Sequence, residues 1–255
     1  MDRLVYIAAS GVARTLEHQA ALSNNMANVS TNGFRAQLAA YRSVPITLQG
    51  QNPAATTRVG AVAITANSIL AQGPLQTTGR DLDVAIDGEG WFAVQTPEGE
   101  AYTRAGSLRR DRDGMLVTAK GHLVLSVDGQ PIDLADSGRI SFDRQGGVNV
   151  LAKGARAQDI QRVAQLKLVT PDRASLVRGD DGLFRSLNAE GQAQVSPHSA
   201  LVSVVGGALE GSNVSAVETM IGLIQNARRF EMQMKMIADV NHNEQKANSI
   251  LSSAG

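Results

Sequence analysis

Residues 216–237 read AVETMIGLIQNARRFEMQMKMI, and this stretch decides the fold. Apolar or small residues recur in steps of four and three through Ala216, Met220, Leu223, Ala227, Phe230, Met234 and Ile237, flanked by Val217, Ile221 and Ile224. That is the period of one face of a helix. Ser215 and Glu218 have capping-box spacing at its start, and Glu231 and Lys235 make a favourable i,i+4 pair. Asn241, His242, Asn243 and Asn248 predict that it loosens towards Gly255. The other end of the chain answers it. Heptad-like spacing picks out Val5, Ala8, Val12, Thr15, Gln19, Leu22, Met26 and Val29, with Ala9 and Leu16 widening the stripe. A helix of roughly 30 residues is about 45 Å long and cannot bury such a stripe alone. Two can cover each other, and the chain ends are free to offer the pair to other copies. The expected assembly interface is Val5, Val12, Leu16, Leu22 and Met26 on the first helix. On the second it is Val217, Met220, Ile221, Leu223, Ile224, Phe230, Met234 and Ile237.

Working inwards, the first helix should fade near residue 30, because Asn24, Asn25, Asn28, Ser30, Thr31 and Asn32 are poor interior helix residues. Gly33 can then take a left-handed conformation and stop it. From Phe34 to about Gln72 periodicity is patchy, Pro45, Gly50, Pro53 and Gly60 interrupt it, and only Val59, Ala61 and Ala63 alternate weakly. An extended connector is expected there. Near Gly79 the pattern turns to strands: Leu82, Val84 and Ile86 alternate with Asp83, Ala85 and Asp87 as a half-buried strand would. Turn signals follow at Gly88–Gly90, Pro97–Gly99, Asp113-Gly114, Gly121, Asp128-Gly129, Gly146-Gly147 and Asp181-Gly182. Turns about every 8–12 residues indicate a sandwich or barrel-like β-domain. The expected fold is therefore α+β. Long terminal helices, 1–30 and 209–255, pair as a helical domain; 31–78 is a connector; 79–208 is a central β-rich domain.

Composition excludes several functions. Lys plus Arg equals Asp plus Glu at 24 each, so no basic excess marks a nucleic-acid binder; Arg109-Arg110 and Arg228-Arg229 are isolated pairs. No cysteine is present, which removes disulfides, thiolate catalysis and Cys-based metal sites. His18, His122, His198 and His242 lack metal-ligand spacing, and Asp111-Arg112-Asp113-Gly114 lacks the remaining ligands of a calcium loop and reads as a hairpin turn. Asp81, Asp83, Asp87 and Glu89 could pass for catalytic carboxylates, but their alternation with apolar residues makes them the wet side of a strand. There is no G-x-S-x-G elbow, P-loop or dinucleotide fingerprint. Neither an enzyme nor a bound cofactor is expected. Leu4–Ala9 is too short for a signal-peptide core and follows Asp2. The uncharged run Val59–Gly79 is too polar to span a bilayer.

Three segments together resemble one family. Ser23–Phe34, SNNMANVSTNGF, is similar to the N-terminal signature of bacterial flagellar rod and hook proteins. Thr78–Phe92, TGRDLDVAIDGEGWF, followed by Tyr102-Thr103-Arg104, resembles the family's central motif, with Trp91 where Phe is commoner. Leu209–Val214, LEGSNV, and the helix after it resemble its C-terminal signature. Within the family, Met1–Leu4, Phe34–Leu38, Asp180–Arg185 and Asn226–Lys235 are most similar to a proximal rod protein, with the distal rod protein as the alternative.

The resemblance implies a structural subunit of the periplasmic drive shaft that carries torque to the hook and is required for motility. It also implies that the terminal helices form the inner wall of the tube. Implied partners are other proximal rod proteins, the distal rod protein and further copies of this chain. The flagellar export apparatus, which works without a cleaved signal peptide, is implied during secretion. A reading of another class competes: a secreted β-domain that binds cell-wall glycan, its helices serving as a lid and Trp91 stacking on sugar. The two differ in whether Trp91 is buried.

Overall fold

The computed structural model describes residues 2–45, 59–135, 138–152 and 160–253. Two long helices bracket the chain, α1 (Asp2–Ala27) and α2 (Ala216–Ser253). The strands between them begin with β1 (Gln37–Pro45), β2 (Val59–Ser68), β3 (Leu75–Thr77), β4 (Val84–Asp87), β5 (Trp91–Thr96) and β6 (Gly99–Thr103). Next come β7 (Leu108–Arg110), β8 (Leu116–Thr118), β9 (Leu123–Val124), β10 (Arg139–Phe142), β11 (Gly147–Leu151) and β12 (Gln161–Gln165). The series ends with β13 (Leu168–Val169), β14 (Leu176–Arg178), β15 (Phe184–Leu187), β16 (Ala193–Gln194), β17 (Ser203–Gly206) and β18 (Ala208–Glu210). Helical ends around a β-rich centre make the chain α+β.

The chain divides into two compact units. One, the helical unit, comprises Met1–Val29, Ala36–Ile69 and Val214–Gly255; the other, the β unit, comprises Ser30–Arg35 and Leu70–Asn213. Where the sequence predicts a plain connector over 31–78, the structure has three strands. β1 and β2 pair antiparallel, with Tyr41 opposite Ala63 and a bulge between Leu38 and Ala40, and β3 pairs with β18. The alternation at Val59, Ala61 and Ala63 is weak, yet a hairpin satisfies its backbone groups whatever the side chains. Periodicity was therefore a poor guide to it.

Among the described residues of the β unit the largest sheet has nine strands, running β14-β15-β6-β5-β9-β8-β7, with β13 joined to β5 and β16 to β15. Smaller sheets are β10-β11-β12, β17-β4 and β18-β3. Alternation along β5 shows how both faces of the main sheet are covered. Phe92 and Val94 enter a large apolar cluster with Val84, Ile86, Leu108, Ile140, Val148 and Val204. Trp91 and Ala93 enter a second cluster with Tyr102, Leu125, Val169 and Phe184.

This double covering corrects the expectation for β4. Val84, Ala85 and Ile86 are all buried, so the strand has no wet side before Asp87. Asp83, read from sequence as exposed, is buried too. Its carboxylate accepts hydrogen bonds from Arg80 Nε at 2.8 Å and Thr78 Oγ1 at 2.7 Å. It is a structural anchor for the turn into β4. Asp111 Oδ1 likewise accepts the Asp113 and Met115 amides, holding the β7–β8 hairpin turn.

At the end of α1, Gly33 has φ +69°, the left-handed value its place after the asparagines suggested. A Cβ there would also stand 2.3 Å from the Arg104 carbonyl carbon. Conformation and space both demand glycine. No helix among the described residues is long and apolar enough to cross a membrane.

Candidate assembly interface

Within the helical unit α1 and α2 pack on each other, but what fills the seam is largely polar. Asn226, 4% exposed, donates from Nδ2 to the Thr15 carbonyl at 2.9 Å and to Gln19 Oε1 at 2.8 Å. Its Oδ1 lies 3.1 Å from His18 Nδ1, so the histidine carries its proton there. Thr15 Oγ1 donates to Gln233 Oε1 at 2.9 Å. Two glycines let the backbones close. A Cβ on Gly11 would meet Gln233 Nε2, and one on Gly222 would meet Leu22 Cδ2, each at 3.2 Å. Asn25 does similar work next to β1. It accepts the Gln37 amide at 2.8 Å and donates to the Gln37 carbonyl at 2.9 Å, as a paired strand would. At the start of α2 the Ser215 hydroxyl accepts the Glu218 amide at 3.3 Å, the capping bond read from the sequence.

The polar seam leaves the apolar stripe facing outwards. Leu16, Val217, Met220, Ile221, Ile224 and Met234 are exposed, as are Met232 and Met236. Val12, Leu22, Met26, Leu223, Phe230 and Ile237 are half-buried, and the side chain of Val5 lies outside the described residues. The expectation that the two stripes cover each other is thus met only in part. Length adds to this. α1 has 26 residues and α2 has 38, so 38 − 26 = 12 residues, about 18 Å of helix, exceed what α1 can cover. A cleft of about 250 Å³ opens beside the seam, lined by Thr15, Leu16, Gln19, Asn226, Ala227, Phe230 and Glu231. Exposed apolar side chains recurring along one helix make this face a candidate interaction surface.

Heptad counting found Thr15 and Gln19 by position but not the bonds they make. It missed Asn25, Asn226 and Gln233 because apolar spacing does not score a buried amide. Replacing Asn226 with Ala should weaken the helical unit by about 1–3 kcal/mol, since the Thr15 carbonyl and His18 lose their partner. Helical circular dichroism should melt earlier. Fluorescence of Trp91, the single tryptophan and a residue of the β unit, should melt unchanged. Equal loss in both signals would show that Asn226 serves the whole molecule.

Trp91 itself is 5% exposed. Phe184 packs on it at 4.6 Å between ring centroids, and the Arg35 and Arg104 guanidiniums lie 5.8 and 5.4 Å from its ring centre. The cavity beside it, about 30 Å³, has room for a water and not for a sugar ring. The glycan-stacking role expected of an exposed Trp91 is not available to it.

An outward apolar stripe on terminal helices, in a chain that also has a compact β unit, is the pattern expected of the class of proteins that assemble with others. Comparison with known proteins names the family. Residues 205–250 match the model described as flagellar basal body rod FlgEFG protein C-terminal, and residues 85–154 match the flagellar hook protein FlgE/F/G D1 domain. The chain is 42% identical to flagellar basal-body rod protein FlgF of Escherichia coli, over 99% of each chain. It is 41% identical to FlgF of Salmonella typhimurium, again over 99% of each chain. Identity to FlgG of Bacillus subtilis is 30%, over 93% of this chain and 94% of that one. The chain belongs to the flagellar basal-body rod protein family, whose members are structural subunits and not enzymes.

Proposed function

We propose that this chain is an FlgF-like subunit of the proximal rod, within the periplasmic drive shaft that carries torque to the hook. The observation that supports this most directly is the outward stripe on α2 around Ile221 and Ile224, set apart from a seam that polar residues already occupy. The helical unit would build the shaft wall through that stripe. Its neighbours would be other proximal rod proteins, the distal rod protein and further copies of itself. It would reach them through the flagellar export apparatus, without a cleaved signal peptide. A place in the distal rod is the alternative, supported by the lower identity to FlgG. Four of the seven methionines, Met220, Met232, Met234 and Met236, lie on α2, and flexible thioethers suit a surface that meets several unlike neighbours.

The absence of cysteine makes a clean test. Ile224→Cys introduces a single thiol. A maleimide should label it in the free subunit and fail to label it in purified basal bodies. Equal labelling in both states would show that the stripe is not covered on assembly.

A further inference from the structure

Glu210 is fully buried, and its carboxylate gathers three donors. Arg35 Nη2 and the Gly73 amide donate to Oε1 at 2.6 and 2.8 Å, and Arg104 Nη1 donates to Oε2 at 3.0 Å. The Glu210 carbonyl accepts the Gly33 amide at 2.8 Å. More bonds close round this centre. The Asn213 amide donates to the Phe34 carbonyl at 3.3 Å, and Asn213 Nδ2 donates to the Ala71 carbonyl at 2.9 Å. Arg178 Nη1 donates to the Arg35 carbonyl at 2.9 Å.

The location matters as much as the chemistry. Three stretches of the β unit meet here: Ser30–Arg35, the residues from Leu70 to Gly73, and those from Glu210 to Asn213. The chain passes between its two units four times, after Val29, after Arg35, before Leu70 and after Asn213. Each of these passages begins or ends in one of the three stretches.

Two guanidiniums against one carboxylate make a costly way to fill a core. Burial draws the Arg104 guanidinium below its ordinary pKa, and Glu210 only partly offsets this. Among the described residues, Arg35 Nε and Nη1 and Arg104 Nε have no hydrogen-bond acceptor, and the two guanidiniums lie over the Trp91 ring instead. Apolar residues of the same volume would escape the desolvation penalty altogether. What they would lack is direction. Charge-assisted hydrogen bonds hold one geometry, whereas apolar contacts slide.

We propose that the Arg35–Glu210–Arg104 cluster is a lock: it fixes the geometry of every stretch by which the chain enters or leaves the β unit.

Hydrogen exchange on the full-length protein tests it with two variants. In Glu210→Gln, the amides of Gly33, Gly73 and Asn213 should exchange about tenfold to a hundredfold faster. Those of Ala93 and Leu125, bonded within the β unit to Lys167 and Ala93 carbonyls, should stay within about threefold. The combined variant Arg35→Met, Arg104→Met and Glu210→Met should melt no lower than the parent while its three junction amides exchange as fast as in Glu210→Gln. Parent-like protection of those amides in the combined variant would overturn the lock, because shape alone would then suffice. So would equal acceleration at Ala93 and Gly33 in Glu210→Gln, which would make the cluster an ordinary piece of core. Should the combined variant fail to fold, the ratio of junction to core exchange in Glu210→Gln decides alone. None of these readouts involves assembly, so they stand apart from the thiol-labelling result.

Discussion

Cells whose only copy of this protein carries Ile224→Asp are expected not to swim, although the variant is made, exported and folded. Ile224 is 56% exposed in the free subunit, so an aspartate there meets water, and a surface change of this kind shifts stability by no more than about 0.5 kcal/mol. Trp91 fluorescence should therefore report a β unit that melts with the parent. Assembly reverses the balance. Once neighbouring helices cover the stripe, the carboxylate is desolvated without a partner, at a cost of several kcal/mol. Electron micrographs of the mutant's basal bodies should show no completed rod. Ile224→Leu keeps the apolar surface and should swim. Normal swimming by Ile224→Asp cells would show that this face takes no part in the shaft, and loss of β-unit folding would place the helix in that unit's core.

How much of this was legible depends on which interactions are local. The helix pair and the strand-rich middle could be read directly, because periods of 3.6 and 2 lie along the chain and need no partner to be seen. The left-handed turn at Gly33, beyond the end of α1 at Ala27, was visible for the same reason. What escaped were interactions between distant residues. Asn226 meets Thr15 from 211 positions away, and Glu210 meets Arg35 from 175, so neither has a local signature. Asp83 shows the opposite failure. Alternation put it on a wet face, but a second apolar layer and Arg80 removed that face. The interface residues fall between these cases. Their spacing was plain, while their outward direction became apparent only when polar side chains were found filling the seam.

Trp91→Ala should strongly destabilise the β unit. The indole is buried in the second core cluster with Phe184, Tyr102, Leu125 and Val169, and its removal leaves a cavity there. Large-to-small truncation at such a site costs about 3–5 kcal/mol. For a unit of this size that corresponds to a fall of roughly 6–20 °C in Tm. The Arg35 and Arg104 guanidiniums lose their π face at the same time, which adds about 0.5–2 kcal/mol each where the charge is desolvated. Calorimetry of the full-length variant measures the change without needing the lost fluorophore. Trp91→Phe keeps an aromatic ring in the cluster and should cost less than half as much as Trp91→Ala. A Trp91→Ala protein with the parent's Tm that no longer bound cell-wall glycan would reverse the assignment, making the residue a sugar platform and the β unit a lectin.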